Sequence, residues 1–436
     1  MRQLILLIIA MPVAVLPVFL LLRIKSIMRN YYLFVSIFTN QLFLVFFFKE
    51  INPQDNLGNG IFKNLSILYS SALPLSIILL TRLKNDQFTM KKNMNLSEEL
   101  LKFSWISFFG LGLLSASLAK TKLMPISTTV MFGIVLFLIL AGDFEYEKLI
   151  ITIYRMFGVI SAGLTISFIF KFDWNNYSSR TLDPFNLDQN VYYSPLARIF
   201  DFNPRSFGFL GGPQVAGVFS VIGVACYLAS SAKKKNPLLL ISLILFGSCS
   251  GSRTYYVTLI CLIFFSFIRK FLPREKIAQL IFMILGLVSV AAMLYKWFLP
   301  IISTENGSLT NLTGRAKLWE YIIRNWSNQG LLGHGPNTLT NATQSDLYYG
   351  FAHAHNSFLQ ALWDFGLLGI FTVLMIVLTS IVKILGDSTE GNRLLLIIVT
   401  LMCIQTEPML VVGTGTTTWF WLIPLVFAFS KKELKL

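Results

Sequence analysis

Apolar runs long enough to cross a bilayer recur from one end of this 436-residue chain to the other. They fall at 3–22, 31–48, 65–81, 101–118, 123–141, 149–171, 213–231, 236–249, 254–270, 277–298, 357–382, 393–411 and 414–430. A helix needs about 20 such residues to cross about 30 Å of hydrocarbon. Lipid offers nothing to an unsatisfied backbone, so helices are the natural solution for continuous apolar runs. The chain is therefore expected to be an all-α polytopic membrane protein of about twelve or thirteen transmembrane helices, a single integral membrane domain over 1–436. Both counts stay open, because the 236–249 run is short and the 3–22 run contains Pro12 and Pro17. The first run is too long for a signal-peptide core and lacks a small-residue cleavage site, so it is expected to be retained. No repeat at a fixed period and no inverted repeat of the transporter kind is visible.

The net charge of +15 does not point to nucleic acid. The basic residues cluster beside the apolar runs, as in Arg23, Lys25 and Arg29, then Lys233, Lys234 and Lys235, then Arg269, Lys270, Arg274 and Lys276. That is the pattern of topology signals and of contact with anionic lipid. Placing these clusters and the tail residues Lys431, Lys432 and Lys435 in the cytoplasm turns 172–212, 250–253 and 299–356 outward. Lys120 and Lys122 then fall outside, against the rule, and Asp143, Glu145 and Glu147 inside, where acidic residues carry little weight. An odd helix count puts the N-terminus outside and an even count puts it inside. Cys226, Cys249, Cys261 and Cys403 lie in or beside apolar runs without a C-x-x-C pair, and read as packing residues.

The outward segments hold the polar chemistry. The 172–212 loop is rich in Asp, Asn, Tyr and Pro and ends in NPRSFGFLGGPQ, where Pro and Gly mark turns. The 299–356 loop holds His334, His353 and His355, the three histidines of the chain. It also contains a predicted helix at 315–328, with Trp319, Ile322, Ile323 and Trp326 on one face and Lys317, Glu320, Arg324 and Asn328 on the other. Such a helix either lies flat at the membrane interface or packs on the outer ends of the bundle.

Arg205, Arg253 and Arg315 face outward against the positive-inside rule. A guanidinium is a planar fork that matches phosphate oxygens, and three of them converging would hold a diphosphate without a metal. Taken singly, each is explained as readily by a lipid headgroup or an Asp partner. His353 and His355 bracket Ala354 just before the 357–382 run, so in an extended segment both rings reach one side. Asn356 and Ser357 are good helix N-caps, which places His355 at the mouth of a helix. A neutral imidazole there is a candidate base for a sugar hydroxyl; the plain alternative is an interfacial histidine capping backbone. His334, between glycines, reads as a turn residue.

Other chemistries lack their motifs. No P-loop, no G-x-G-x-x-G after a strand and no G-x-S-x-G nucleophile is present. The thiols and histidines are too scattered for zinc. The DFEYE run at 143–147 reads as a solvated loop, and Asp173, Asp183, Asp188 and Asp201 offer nothing to single one out.

The SGSR turn at 250–253, GRAKLW at 314–319, LLGHG at 331–335 and HAHNSFLQALWDFGLLG at 353–369 together resemble the O-antigen polymerase and O-antigen ligase superfamily of bacterial envelope glycosyltransferases. RSFGFLGGPQ at 205–214 is similar to that family's earlier arginine–glycine segment. The resemblance implies a GT-C-like helical fold in the bacterial inner membrane with its active site facing the periplasm. It also implies a donor glycan on undecaprenyl diphosphate, a glycan acceptor, and a reaction that needs neither metal nor other cofactor. By motif position His355 is the catalytic histidine and Arg253 and Arg315 the diphosphate-binding arginines. Arg205, His353, Asn356 and Gln214 complete the expected substrate-binding set.

Within that family a polymerase extends lipid-linked repeat units, and a ligase moves finished chains to lipid A core. The G-R-x-x-x-W and G-H-G pieces are closer to the polymerase side, where a chain-length regulator would be a partner. The rival class is a lipid-linked-glycan flippase, which calls for charges buried along a path. Arg155 is the clearest charge inside a run, and it lies near one end.

Overall fold

The structure, a computed structural model, describes residues 96–119, 146–170, 213–230, 235–268, 315–336, 338–347 and 353–387, with isolated positions within 126–136 and 395–403. The described residues are helical and contain no strand. The elements are α1 (Leu96–Leu118), α2 (Tyr146–Ile169), α3 (Pro213–Ala229), α4 (Pro237–Cys249), α5 (Arg253–Ile268), α6 (Arg315–Asn325), a 3₁₀ segment (Trp326–Leu332), α7 (Leu339–Leu347) and α8 (Ser357–Asp387).

Six expected spans coincide with α1 to α5 and α8. Among the described residues three stretches, Glu99–Leu118, Ile150–Ile169 and Ser357–Ser380, are long and apolar enough to cross a membrane. Gln214–Ala229, Pro237–Cys249 and Thr254–Phe267 are shorter apolar helices. The spans at 3–22, 31–48, 65–81, 277–298 and 414–430 lie outside the described residues, and 123–141 and 393–411 are described only at isolated helical positions. Large apolar side chains such as Phe103, Val159, Phe170, Leu238, Phe267 and Phe371 point outward. A helix apolar on its outer face as well as its inner one suits lipid.

Helices α2, α3, α4 and α5 pack as one group. Phe157 stacks on Phe219 at 3.9 Å, and Phe219 meets Phe246 edge-on at 6.0 Å. Small residues let backbones approach, as TM helices without a hydrophobic driving force require: Gly223 lies against Leu243, and Gly247 against Tyr255. The α3–α4 corner is built by two local devices. Lys235 Nζ donates to the carbonyls of Tyr227 and Leu228 at the end of α3, at 2.8 and 3.4 Å. Asn236 then caps α4 ahead of Pro237 at its first turn, accepting from the Leu238 N–H at 3.0 Å.

Helix α8 packs chiefly on α1, on the 3₁₀ segment and on α6, with Phe108 and Phe365 edge-on at 4.9 Å. It joins the other group through Ala361, Phe365, Val373 and Ile376 in a shared core that also buries all four cysteines. A second, smaller cluster gathers Leu318, Ile322, Leu339, Ala354, Leu362 and Trp363, tying α6 and α7 to the first turns of α8.

Helix α8 is broken at Gly366, whose φ is 67° and ψ −154°. Sequence alone reads 357–382 as one continuous span. The break lies two turns into it, where the Phe365–Gly366 pair is the only local signal.

Candidate functional site

Asn356 starts α8. Its Oδ1 accepts from the N–H groups of Phe358 and Leu359 at 2.9 and 3.1 Å, and its carbonyl accepts from the Gln360 N–H at 2.9 Å. That is the N-cap expected from the sequence. His355 directly precedes it with φ 52°, the one positive φ at a non-glycine among the described residues. A left-handed conformation costs such a residue about 1–3 kcal/mol and persists only where surrounding contacts enforce it. The His353 and His355 rings lie 4.2 Å apart, edge to face, both half-buried. The two rings meet as the spacing predicts, although His355 is left-handed rather than extended.

Ala354, between them, is fully buried and bonded at both ends of its backbone. Its N–H donates to Gln360 Oε1 at 2.7 Å, and its carbonyl accepts from the Trp319 indole N–H at 2.8 Å. Gln360 Nε2 in turn donates to Asp364 Oδ1 at 3.0 Å. Neither Gln360 nor Asp364 was expected at the site. The only sign of them is a polar pair four residues apart inside an apolar run.

Trp319 belongs to α6, and Arg315, the first residue of α6, lies one turn before it. The bond from Trp319 therefore ties the opening of this helix to the histidine segment. The predicted 315–328 helix ends at Asn325, whose Nδ2 donates back to the Tyr321 carbonyl at 2.9 Å, and continues as the 3₁₀ segment. Its buried stripe is also rotated: Leu318 and Ile322 are buried, Trp319 and Trp326 half-buried and Ile323 exposed. Packing on protein fixes this phase, with Glu320 and Arg324 paired on the outer face. Tyr321 donates to Asp346 Oδ2 at 2.6 Å and holds α7 against α6. Burial first, then the Asp346 hydrogen bond and charge, push its phenol above the usual tyrosine range.

His334 serves the break in α8. The kink at Gly366 leaves the carbonyls of Trp363 and Asp364 without helical partners. The backbone N–H groups of His334 and Gly335 donate to them at 2.7 and 3.0 Å, and the Ser115 hydroxyl of α1 donates to the Asp364 carbonyl as well. Gly333 (φ 68°) and Gly366 (φ 67°) lie backbone to backbone, where a Cβ on either would collide. The His334 ring stacks on Trp363 at 3.9 Å with 8° between planes, and its Nε2 lies 2.9 Å from the Asn325 carbonyl. This is the turn residue read from the sequence, with a defined structural task.

Arg253 is the first residue of α5, after a 250–253 turn in which Gly251 has φ 59°. The Ser252 hydroxyl accepts from the Tyr255 N–H at 3.4 Å, and Tyr256 donates to the Ser248 carbonyl at 3.1 Å. Gly217 of α3 lies against Ser252, so the start of α3, with half-buried Gln214, sits beside this turn. The structure thus brings together His353, His355, Asn356 and the helix opened by Arg315. It separately brings Arg253 beside the start of α3. The two groups belong to different helix sets joined by the shared core. Arg205, Asp173, Asp183, Asp188, Asp201, Asp143 and Glu145 lie outside the described residues; Glu147 accepts from the Ser230 hydroxyl at 3.1 Å. Arg155 is exposed on α2. Among the described residues no group of three or more His, Cys, Asp or Glu could hold a metal ion.

Residues 237–374 match a family model described as O-antigen ligase. The matched stretch runs from α4 into α8 past its break and includes Arg253, Arg315, His334, His353, His355 and Asn356; Gln214 and Arg205 precede it. No curated protein matches the chain.

Proposed function

We propose, with this match over 237–374 as support for kinship with the O-antigen polymerases and ligases, that the chain is a GT-C-like glycosyltransferase of the polymerase kind. It joins oligosaccharide repeat units carried on undecaprenyl diphosphate into an O-antigen or capsule-type polysaccharide. The reaction takes place on the outer face of the bacterial inner membrane. Alternation of the spans, with the 299–356 loop outside, puts the 250–253 turn, the start of α3 and the start of α8 on that one face.

The mechanism is a single displacement. The acceptor hydroxyl oxygen attacks the anomeric carbon of the donor sugar, and the bond from that carbon to the lipid diphosphate breaks. The diphosphate leaves with the electron pair, His355 takes the hydroxyl proton, and the anomeric carbon inverts. Arg253 and Arg315 stabilise the charge that grows on the leaving diphosphate. Arg205, His353, Asn356 and Gln214 hold the sugars and phosphates in place. Neither a metal nor another cofactor has a role in these steps.

The observation that carries this reading is the histidine pair, rings 4.2 Å apart at the capped start of a membrane-spanning helix, inside the matched region. A reaction site at one end of the bundle also accounts better for these residues than the through-path of a flippase. The second reading, a ligase that transfers glycan to lipid A core, rests on the description of the matched model. The acceptor decides between them. Purified protein given lipid-linked repeat units alone forms longer lipid-linked chains if it is a polymerase, and needs lipid A core if it is a ligase. His355→Ala and Arg315→Lys abolish glycan transfer while the protein still inserts. A parental glycan-length distribution in both variants would sink the assignment.

A further inference from the structure

Buried polar groups on a membrane helix are costly and call for a reason. Gln360 is 2% exposed and Asp364 0% exposed, one turn apart on the buried face of α8. Their hydrogen bonds run in one direction. The Ala354 N–H can only donate, so it takes Gln360 Oε1. The Gln360 amide must then present its NH₂ side to Asp364, whose Oδ1 accepts it. Asp364 thereby fixes which way the amide faces. From the opposite side, the Trp319 indole N–H fixes the Ala354 carbonyl. The peptide so held lies between the two histidines and is followed by the left-handed His355.

We propose that Gln360, Asp364 and Trp319 form a clamp on the Ala354 peptide that sets the mutual geometry of His353 and His355. All three are positioning residues that touch no substrate. The inference rests on the reading of His355 as the base. A clamp of this kind acts on turnover rather than on donor binding, because it aims the base without contributing a contact to the lipid diphosphate. Misplacing a reacting group by about 1 Å costs about 10²-fold in rate.

The test uses the full chain in nanodiscs, with undecaprenyl diphosphate bearing one oligosaccharide repeat unit as the probe. Gln360→Met keeps length and removes both hydrogen bonds; it lowers kcat about 10²-fold with the donor KM unchanged. Trp319→Phe keeps the ring and removes the indole donor, and lowers kcat with KM again unchanged. Asp364→Leu behaves as Gln360→Met does, and Asp364→Asn, which still offers Gln360 an acceptor oxygen, recovers most of that loss. If Gln360→Met does not accumulate in the membrane, the half-buried Trp319→Phe decides alone. Parental kcat in Gln360→Met and Trp319→Phe, beside an inactive His355→Ala, overturns the clamp and leaves the base assignment standing. A rise in donor KM at constant kcat also overturns it. Parental activity in His355→Ala removes the reading on which the clamp rests.

Discussion

Replacing Gly366 by alanine tests whether the break in α8 holds the site together. Its φ of 67° with ψ −154° lies in a region essentially reserved for glycine, so a side chain there costs about 1–3 kcal/mol in strain. The added Cβ also collides with the Leu331 carbonyl, and the neighbouring Gly333 backbone is too close to yield. Overpacking of that kind costs a further 1–3 kcal/mol or so. The expected loss is therefore about 4 kcal/mol. Relief comes only by straightening α8, which withdraws the Trp363 and Asp364 carbonyls from the His334 and Gly335 N–H groups. The first turns of α8, with Asn356, Gln360 and Asp364, then re-aim. Gly366→Ala should lower the thermal midpoint of the detergent-solubilised protein and reduce the proposed glycan transfer together. Gly110→Ala in α1 is the control, since nothing lies within 4 Å of its added Cβ; there the change is expected to stabilise by about 0.5–1 kcal/mol. A Gly366→Ala protein with the parental midpoint and parental transfer would refute the glycine-dependent break.

His334→Ala removes the Trp363 stack and the contact with the Asn325 carbonyl. It should cost about 1–2 kcal/mol of thermal stability while the folded fraction keeps its turnover; a collapse in kcat at unchanged stability would refute a purely structural role for His334. Asn356→Ala removes the α8 cap and should cost about 1 kcal/mol, with Asn356→Asp losing less in the same thermal assay. The raised Tyr321 phenol favours the neutral form in the folded protein. Its contribution to the α6–α7 contact is therefore fully present below the ordinary tyrosine pKa of about 10 and is lost as pH rises through the higher folded value. The ultraviolet phenolate titration of the parent minus that of Tyr321→Phe should show this one group ionising above the ordinary range, and ionisation at or below it would refute the contact.

The membrane helices are legible because a bilayer demands an apolar run of fixed minimum length, and α1, α2 and α8 supply it. The histidine pair is legible from spacing and from the cap at Asn356. Much of what holds it is not. The break at Gly366 is masked because glycine is common in membrane helices and breaks nothing by itself; only the approach of Leu331 and Gly333 makes it a kink. Helix α7 leaves no pattern in the sequence, since LTNATQSDL carries too few apolar residues for a period, and it forms by packing Leu339 in one cluster with Trp363. The stripe on α6 is misphased in sequence because Trp319 and Trp326, seven residues apart, mark a face that Leu318 does not share. The interior instead takes Leu318 and leaves the Trp319 indole half-exposed to bond Ala354.

The strained His355 and the broken α8 belong to one closed circuit of contacts. Gly366 frees two carbonyls, and the 333–335 loop takes them. That loop is the continuation of the 3₁₀ segment, which continues α6. Helix α6 carries Trp319, which holds Ala354, and Ala354 is held again by Gln360, back on α8 above the break. Strain of about 1–3 kcal/mol at His355 is offset only while the circuit is closed, since any one net hydrogen bond contributes about 1 kcal/mol. Opening the circuit far from the histidines, at Gly366 or Gly333, should therefore let His355 relax to an ordinary φ and part the two rings. The histidine pair at the start of α8 is thus held by a glycine further along the same helix.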